Sequence, residues 1–125
     1  MLASALTPLE QAPRGKFVLL RGGEEIHFVC ASLQSHPFHA SIVFTYLQEQ
    51  GRGRAEMVEK GFCFVHSQEW RVLGGGYYEA DFEARLLRLH GKSTAYGKYP
   101  PASIADGIPT LASALGIPDF QVALE

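Results

Sequence analysis

No apolar run in this sequence approaches the ~20 residues that a membrane-spanning helix requires, so no segment reads as one and no membrane contact is expected. Basic charge is also short. Eleven Lys and Arg stand against 13 Asp and Glu, for a net charge of −2. That balance argues against a nucleic-acid partner, because phosphate backbones call for a basic surface. Cysteine is scarce too. Cys30 and Cys63 lie in strand-like apolar contexts without metal-ligand spacing, which suits buried free thiols in a reducing, cytoplasmic setting. Repeats and low-complexity tracts are absent. Met1 to Pro13 lacks a basic n-region and a long h-region, and so does not read as a signal peptide. What remains is 125 residues, 46% hydrophobic and 19% charged, enough to bury the core of one domain.

Residues 1–14 read as a partly mobile leader and 15–125 as the domain. Lys16 to Arg21 is a short apolar run with basic ends, turned by Gly22-Gly23. Ile26, Phe28 and Cys30 then alternate with Glu25, His27 and Val29, and the short gap predicts an antiparallel hairpin. Ser35-His36-Pro37 is a helix-start signal. Ile42, Val43, Tyr46 and Leu47 follow as an apolar stripe, ended by Gly51. Residues 52–60 look polar and irregular, an exposed connection. Phe62 to Val65 resumes strand character, with continuation through Trp70 to Leu73 before Gly74-Gly75-Gly76 imposes a break or bend. Arg85 to Leu89 is a further strand. Pro109 to Leu115 predicts a second helix, stopped by Gly116 and Pro118, and Phe120 to Leu124 a last strand. The order β-β-α-β-β-α-β is that of an α+β domain.

The stretch Leu89-His90-Gly91-Lys92-Ser93-Thr94-Ala95-Tyr96-Gly97 carries the most chemistry. An apolar strand stops at Gly91, and small and hydroxyl residues follow around a Lys. Backbone N–H groups free of bulky side chains can converge on an oxyanion. Lys92 adds a positive charge, and Ser93 and Thr94 add hydroxyl donors. This is not a P-loop. The first glycine of G-x-x-x-x-G-K-[ST] falls on Leu86, inside the apolar run. An ordinary strand-end turn is the plain alternative.

Five histidines raise the question of metal. His36 and His39 are three apart, but one pair is not a site, and His27, His66 and His90 come from separate elements. Neither a metal nor another cofactor is expected.

Five motifs in register resemble the Janus/Ocnus family. They are Gly15 to Arg21 as a Lys-bearing opening strand, Phe38-His39-Ala40 at a helix start, Leu73-Gly74-Gly75-Gly76, Gly91 to Gly97 after a strand, and Ile117-Pro118-Asp119-Phe120-Gln121-Val122 near the end. The resemblance spans about residues 15 to 122. It implies a mixed β-sheet of five to six strands flanked by two helices. The family's characterised members are small phosphohistidine phosphatases, so it also implies metal-free hydrolysis of phosphoramidate bonds on protein histidine. Its catalytic histidine falls on His39 and its phosphate-contacting lysine on Lys16. Its phosphate-binding Ser-x-Ala falls on Ser93, Thr94 and Ala95, and Lys92 and Ala40 are expected to bind phosphate with them. The chain departs from the family in a longer connection between His39 and the glycine triplet. Tyr77 also stands where Arg is frequent, and Lys92 where an aromatic is usual.

In the first turn of a helix, free N–H groups and the macrodipole favour a nearby anion and a neutral imidazole. A neutral imidazole is the form a general base needs; covalent phospho-His39 is the competing route. The expected partner is a phosphohistidine-containing protein or a small phosphoramidate, and the expected state is a monomer. The alternative from another class is a non-catalytic module that binds phosphate or phosphoprotein through the same residues. A metal-dependent phosphatase is the third option.

Overall fold

The computed structural model describes residues 1–51, 54–59 and 61–125. In chain order the strands and helices are β1 Leu2–Ala5, β2 Arg14–Gly22, β3 Glu25–Ser32, α1 His39–Gln50, β4 Arg54–Glu59, β5 Phe62–His66, β6 Trp70–Asp81, β7 Leu86–His90, α2 Ala102–Ala105, α3 Ile108–Ala114 and β8 Gln121–Leu124. β2 shows why they assemble as they do. Phe17 and Leu19 point to one side of the pleat, Val18 and Leu20 to the other, and all four are buried. A strand apolar on both sides belongs inside a sheet covered on both faces.

The main sheet is mixed and has six strands in the order β1-β3-β2-β6-β7-β8. The inner pairs β3-β2, β2-β6 and β6-β7 are antiparallel, while both outer strands, β1 on β3 and β8 on β7, pair parallel. Phe17, Leu19, Phe28, Leu87 and Leu89 meet Ile104 of α2 and Leu111 and Ala112 of α3. Val18, Leu20, Val29 and Ala31 meet Ile42, Val43, Tyr46 and Leu47 of α1. Truncating a fully buried side chain such as Leu47 to alanine costs about 2–5 kcal/mol. A separate two-stranded sheet, β4-β5, packs against α1. The α+β class and the mixed sheet therefore stand as the sequence indicated. Among the described residues the helices number three rather than two, because α2 is a four-residue turn within the stretch expected as a loop after Tyr99.

Five local expectations need correction. Residues expected in the leader form an edge strand, with Leu2 to Ala5 in register with His27 to Cys30, and Leu9 and Ala12 are buried. Within the expected irregular connection, β4 is a strand. Its partly buried Ala55 and Met57 alternate with exposed Glu56 and Val58, a pattern its charged residues disguise; Arg52, Gly53 and Lys60 lie outside the described residues. The run from Phe62 to Leu73 is two strands, because the Ser67 hydroxyl accepts the N–H groups of Glu69 and Trp70 and turns the chain. The glycine triplet does not break β6, which runs through it with only a bulge opposite Leu19/Leu20. Finally, α1 begins at His39, two residues past Pro37, because Phe38 is still extended (φ −120°, ψ 146°).

Candidate functional site

His39 opens α1, and the sheet beneath it is cut away to receive it. A Cβ on Gly75 would lie 2.8 Å from His39 Cδ2 and 2.7 Å from the Phe17 carbonyl oxygen, so only glycine lets the imidazole approach the strand. His39 Nε2 donates to the Gly76 carbonyl oxygen at 2.9 Å, because a carbonyl can only accept. That bond fixes the neutral tautomer and leaves the Nδ1 lone pair without a partner among the described residues. Although His39 is only 5% exposed, Nδ1 is not sealed in, and the residue lines a cavity. Burial pulls the imidazole below its ordinary 6.5, and the Lys16 charge adds to this against the opposing Gly76 bond.

The cavity, about 570 Å³, is lined by Lys16, Phe38, His39, Gly61, Phe62, Tyr77, Ser93, Thr94 and Ala95. Lys16 is half-buried on β2. Its Nζ donates to Pro37 O at 2.7 Å and stands 5.9 Å from the Phe38 ring centre and 5.7 Å from that of Tyr77. Desolvation lowers its pKa. One donor is committed to Pro37, and the ammonium has others to offer a ligand.

The turn after β7 supplies the opposite wall. Ser93 is 1% exposed, and its backbone exchanges hydrogen bonds with Gly97 in both directions. Its hydroxyl oxygen accepts the Tyr96 N–H at 3.1 Å. This bracing holds residues 94 and 95 at the apex, where the N–H groups of Thr94 and Ala95 have no partner among the described residues. Residues 94 and 95 line the same cavity as the Lys16 ammonium, and backbone N–H groups and a cation are the donors from which an oxyanion site can be built. The Ser93 N–H belongs to Gly97 O, so Ser93 can offer a ligand only its hydroxyl hydrogen.

Of the residues singled out in the sequence, Lys16, His39, Ser93, Thr94 and Ala95 come together. Lys92 and Ala40 do not line the cavity. Lys92 is exposed, because its neighbour Ser93 takes the inward position. The Ala40 methyl is buried in the core beneath α1, leaving only its first-turn N–H near the site.

Sequence reasoning did not place Tyr77 or Phe62 in the site. Tyr77 is 36% exposed, meets the His39 ring edge-on at 5.7 Å and stacks on His90, its cross-strand partner. Its position directly after the glycine triplet was a usable signal. Phe62 comes from the small sheet, and nothing local in the sequence points to it. Among the described residues, no three His, Cys, Asp or Glu side chains gather as metal ligands, and no helix is long and apolar enough to cross a membrane. Compared with models of known protein families and with curated proteins, the sequence matches none.

Proposed function

We propose that this chain hydrolyses phosphoramidate bonds, with protein phosphohistidine as its substrate class and His39 as general base, in the manner of the Janus/Ocnus phosphatases it resembles. The observation that carries this reading is one cavity lined by a histidine, a lysine ammonium and two residues of the turn after β7. The histidine Nδ1 and the backbone N–H groups of those two residues have no partner among the described residues. A module that only bound phosphate would need the cation and the donors but not the base.

The chemistry asked of these groups is modest. Phosphoryl transfer is mostly positioning and charge neutralisation. Lys16, Thr94 N–H and Ala95 N–H hold the phosphoryl oxygens, and the Ser93 hydroxyl adds a donor. A water forms the new P–O bond and passes a proton to His39 Nδ1 as the P–N bond breaks. The substrate imidazole, protonated at its other nitrogen, leaves with the P–N electron pair as neutral histidine. Protonated His39 then returns its proton to phosphate or solvent. Because Lys16 supplies the positive charge, the step runs without a metal, and two buried thiols suit a cytoplasmic setting.

The test is phosphate release from a phosphohistidine peptide with and without EDTA. Turnover that survives EDTA is the expected result. Phosphate binding without release would leave the non-catalytic module, and loss of turnover with EDTA would point to the metal-dependent class.

A further inference from the structure

The phosphate-holding groups occupy only part of the cavity. Much of the remaining wall is aromatic: Phe38 and Tyr77 on the Lys16 side, and Phe62 from β5. Ring faces carry negative electrostatic potential, so they do not attract a phosphoryl dianion. They suit a flat π system, the more so one that carries positive charge while still bonded to phosphorus, as an imidazole protonated at its other nitrogen does.

Phe62 is also held in place. Its ring packs against Tyr96 at 5.5 Å and against Phe64 at 5.0 Å. The Tyr96 hydroxyl donates to Cys63 O and accepts from Cys63 N, each at 3.0 Å, clamping the strand residue that follows Phe62. The backbone N–H of Tyr96 meanwhile donates to the Ser93 hydroxyl oxygen. One residue therefore ties the small sheet to the oxyanion turn and sets Phe62 beside the phosphate donors.

We infer that Phe62, latched to the oxyanion turn by Tyr96, forms with Tyr77 a leaving-group subsite that selects phosphorus bonded to an aromatic ring nitrogen over phosphorus bonded to an alkylamine. The inference rests on the proposed hydrolase reading. It assigns the β4-β5 sheet a part in substrate choice.

The experiment compares kcat/KM for a phosphohistidine peptide, a phospholysine peptide of the same sequence, and phosphoramidate, which has no ring. Wild type, Phe62→Leu and Phe62→Tyr are assayed, and Leu keeps the apolar packing that alanine would lose. The ratio of the phosphohistidine peptide to each of the other substrates should fall about 2- to 10-fold in Phe62→Leu, the worth of one aromatic contact. Phe62→Tyr should restore it. Ratios unchanged in Phe62→Leu, with phosphoramidate still hydrolysed, overturn the subsite alone. No release from any substrate by wild type overturns the hydrolase reading and the subsite with it.

Discussion

Two buried histidines stand against the same helix, and their surroundings differ in kind. His39 begins α1 and lies on the glycine-lined strand, with one nitrogen bonded to a carbonyl and the other without a partner among the described residues, and it lines a cavity that Lys16 also lines. His27, on β3, is packed further along α1. Its Nδ1 meets the Tyr46 hydroxyl at 2.6 Å, and its ring lies 4.8 Å from that of Trp70. Burial lowers the pKa of both. A shifted histidine is thus no marker of chemistry by itself. What separates the two is the company each keeps: an ammonium and free N–H groups for His39, aromatic packing for His27.

Substitution should split the pair. His39→Ala is expected to lower kcat by about 10²- to 10⁴-fold, the range of a lost general base. His27→Ala should leave kcat/KM within about twofold while lowering unfolding free energy by about 1–3 kcal/mol, because the buried Tyr46 hydroxyl loses its partner. Steady-state kinetics and urea denaturation on the same two variants separate these outcomes. Equal kinetic losses would dissolve the distinction.

Gly75→Ala sharpens the comparison from the strand side. The added methyl must displace either the Phe17 backbone or the His39 ring. A stability loss of about 1–3 kcal/mol is expected from the overpacking, with a fall in kcat that His27→Ala does not share. A crystal structure of the variant would show which group moved.

The smallest effect is common to both ends of α1. His27, His36 and His39 all titrate below 6.5 when folded. Between those values and 6.5 the unfolded chain binds more protons, so stability rises with pH. It is fully present above about 6.5 and is lost as pH falls through the folded values. Urea midpoints at about pH 7.5 and about pH 5 should show the decline, and it should shrink in His27→Ala.

The sequence made some of this legible and hid the rest for physical reasons. The α1 stripe, the β2-β3 hairpin, β7, α3 and β8 were readable because each has an unmixed apolar period. Lys16 and His39 were singled out through the Janus/Ocnus resemblance, since a strand-end lysine and a helix-start histidine have ordinary uses. The 93–95 turn was singled out by its run of glycine, lysine and hydroxyl residues, which an ordinary strand-end turn also fits. β1 was hidden because alanine and serine give no alternation, and β4 because its charged residues suggest a solvated loop. The continuity of β6 was hidden because its glycines look like breaks until Phe17 and His39 are seen filling their space. Phe62 and Tyr77 joined the site only through tertiary packing, which no local window contains.

The most direct test of the central claim, that the neutral His39 imidazole is the base, follows His39 itself by NMR across pH and sets its titration beside the kcat/KM profile for phosphoramidate. The expected result is an Nε2–H tautomer and an acid limb whose midpoint coincides with the His39 titration, both below 6.5. A rate that stays flat while His39 takes up its proton would contradict it.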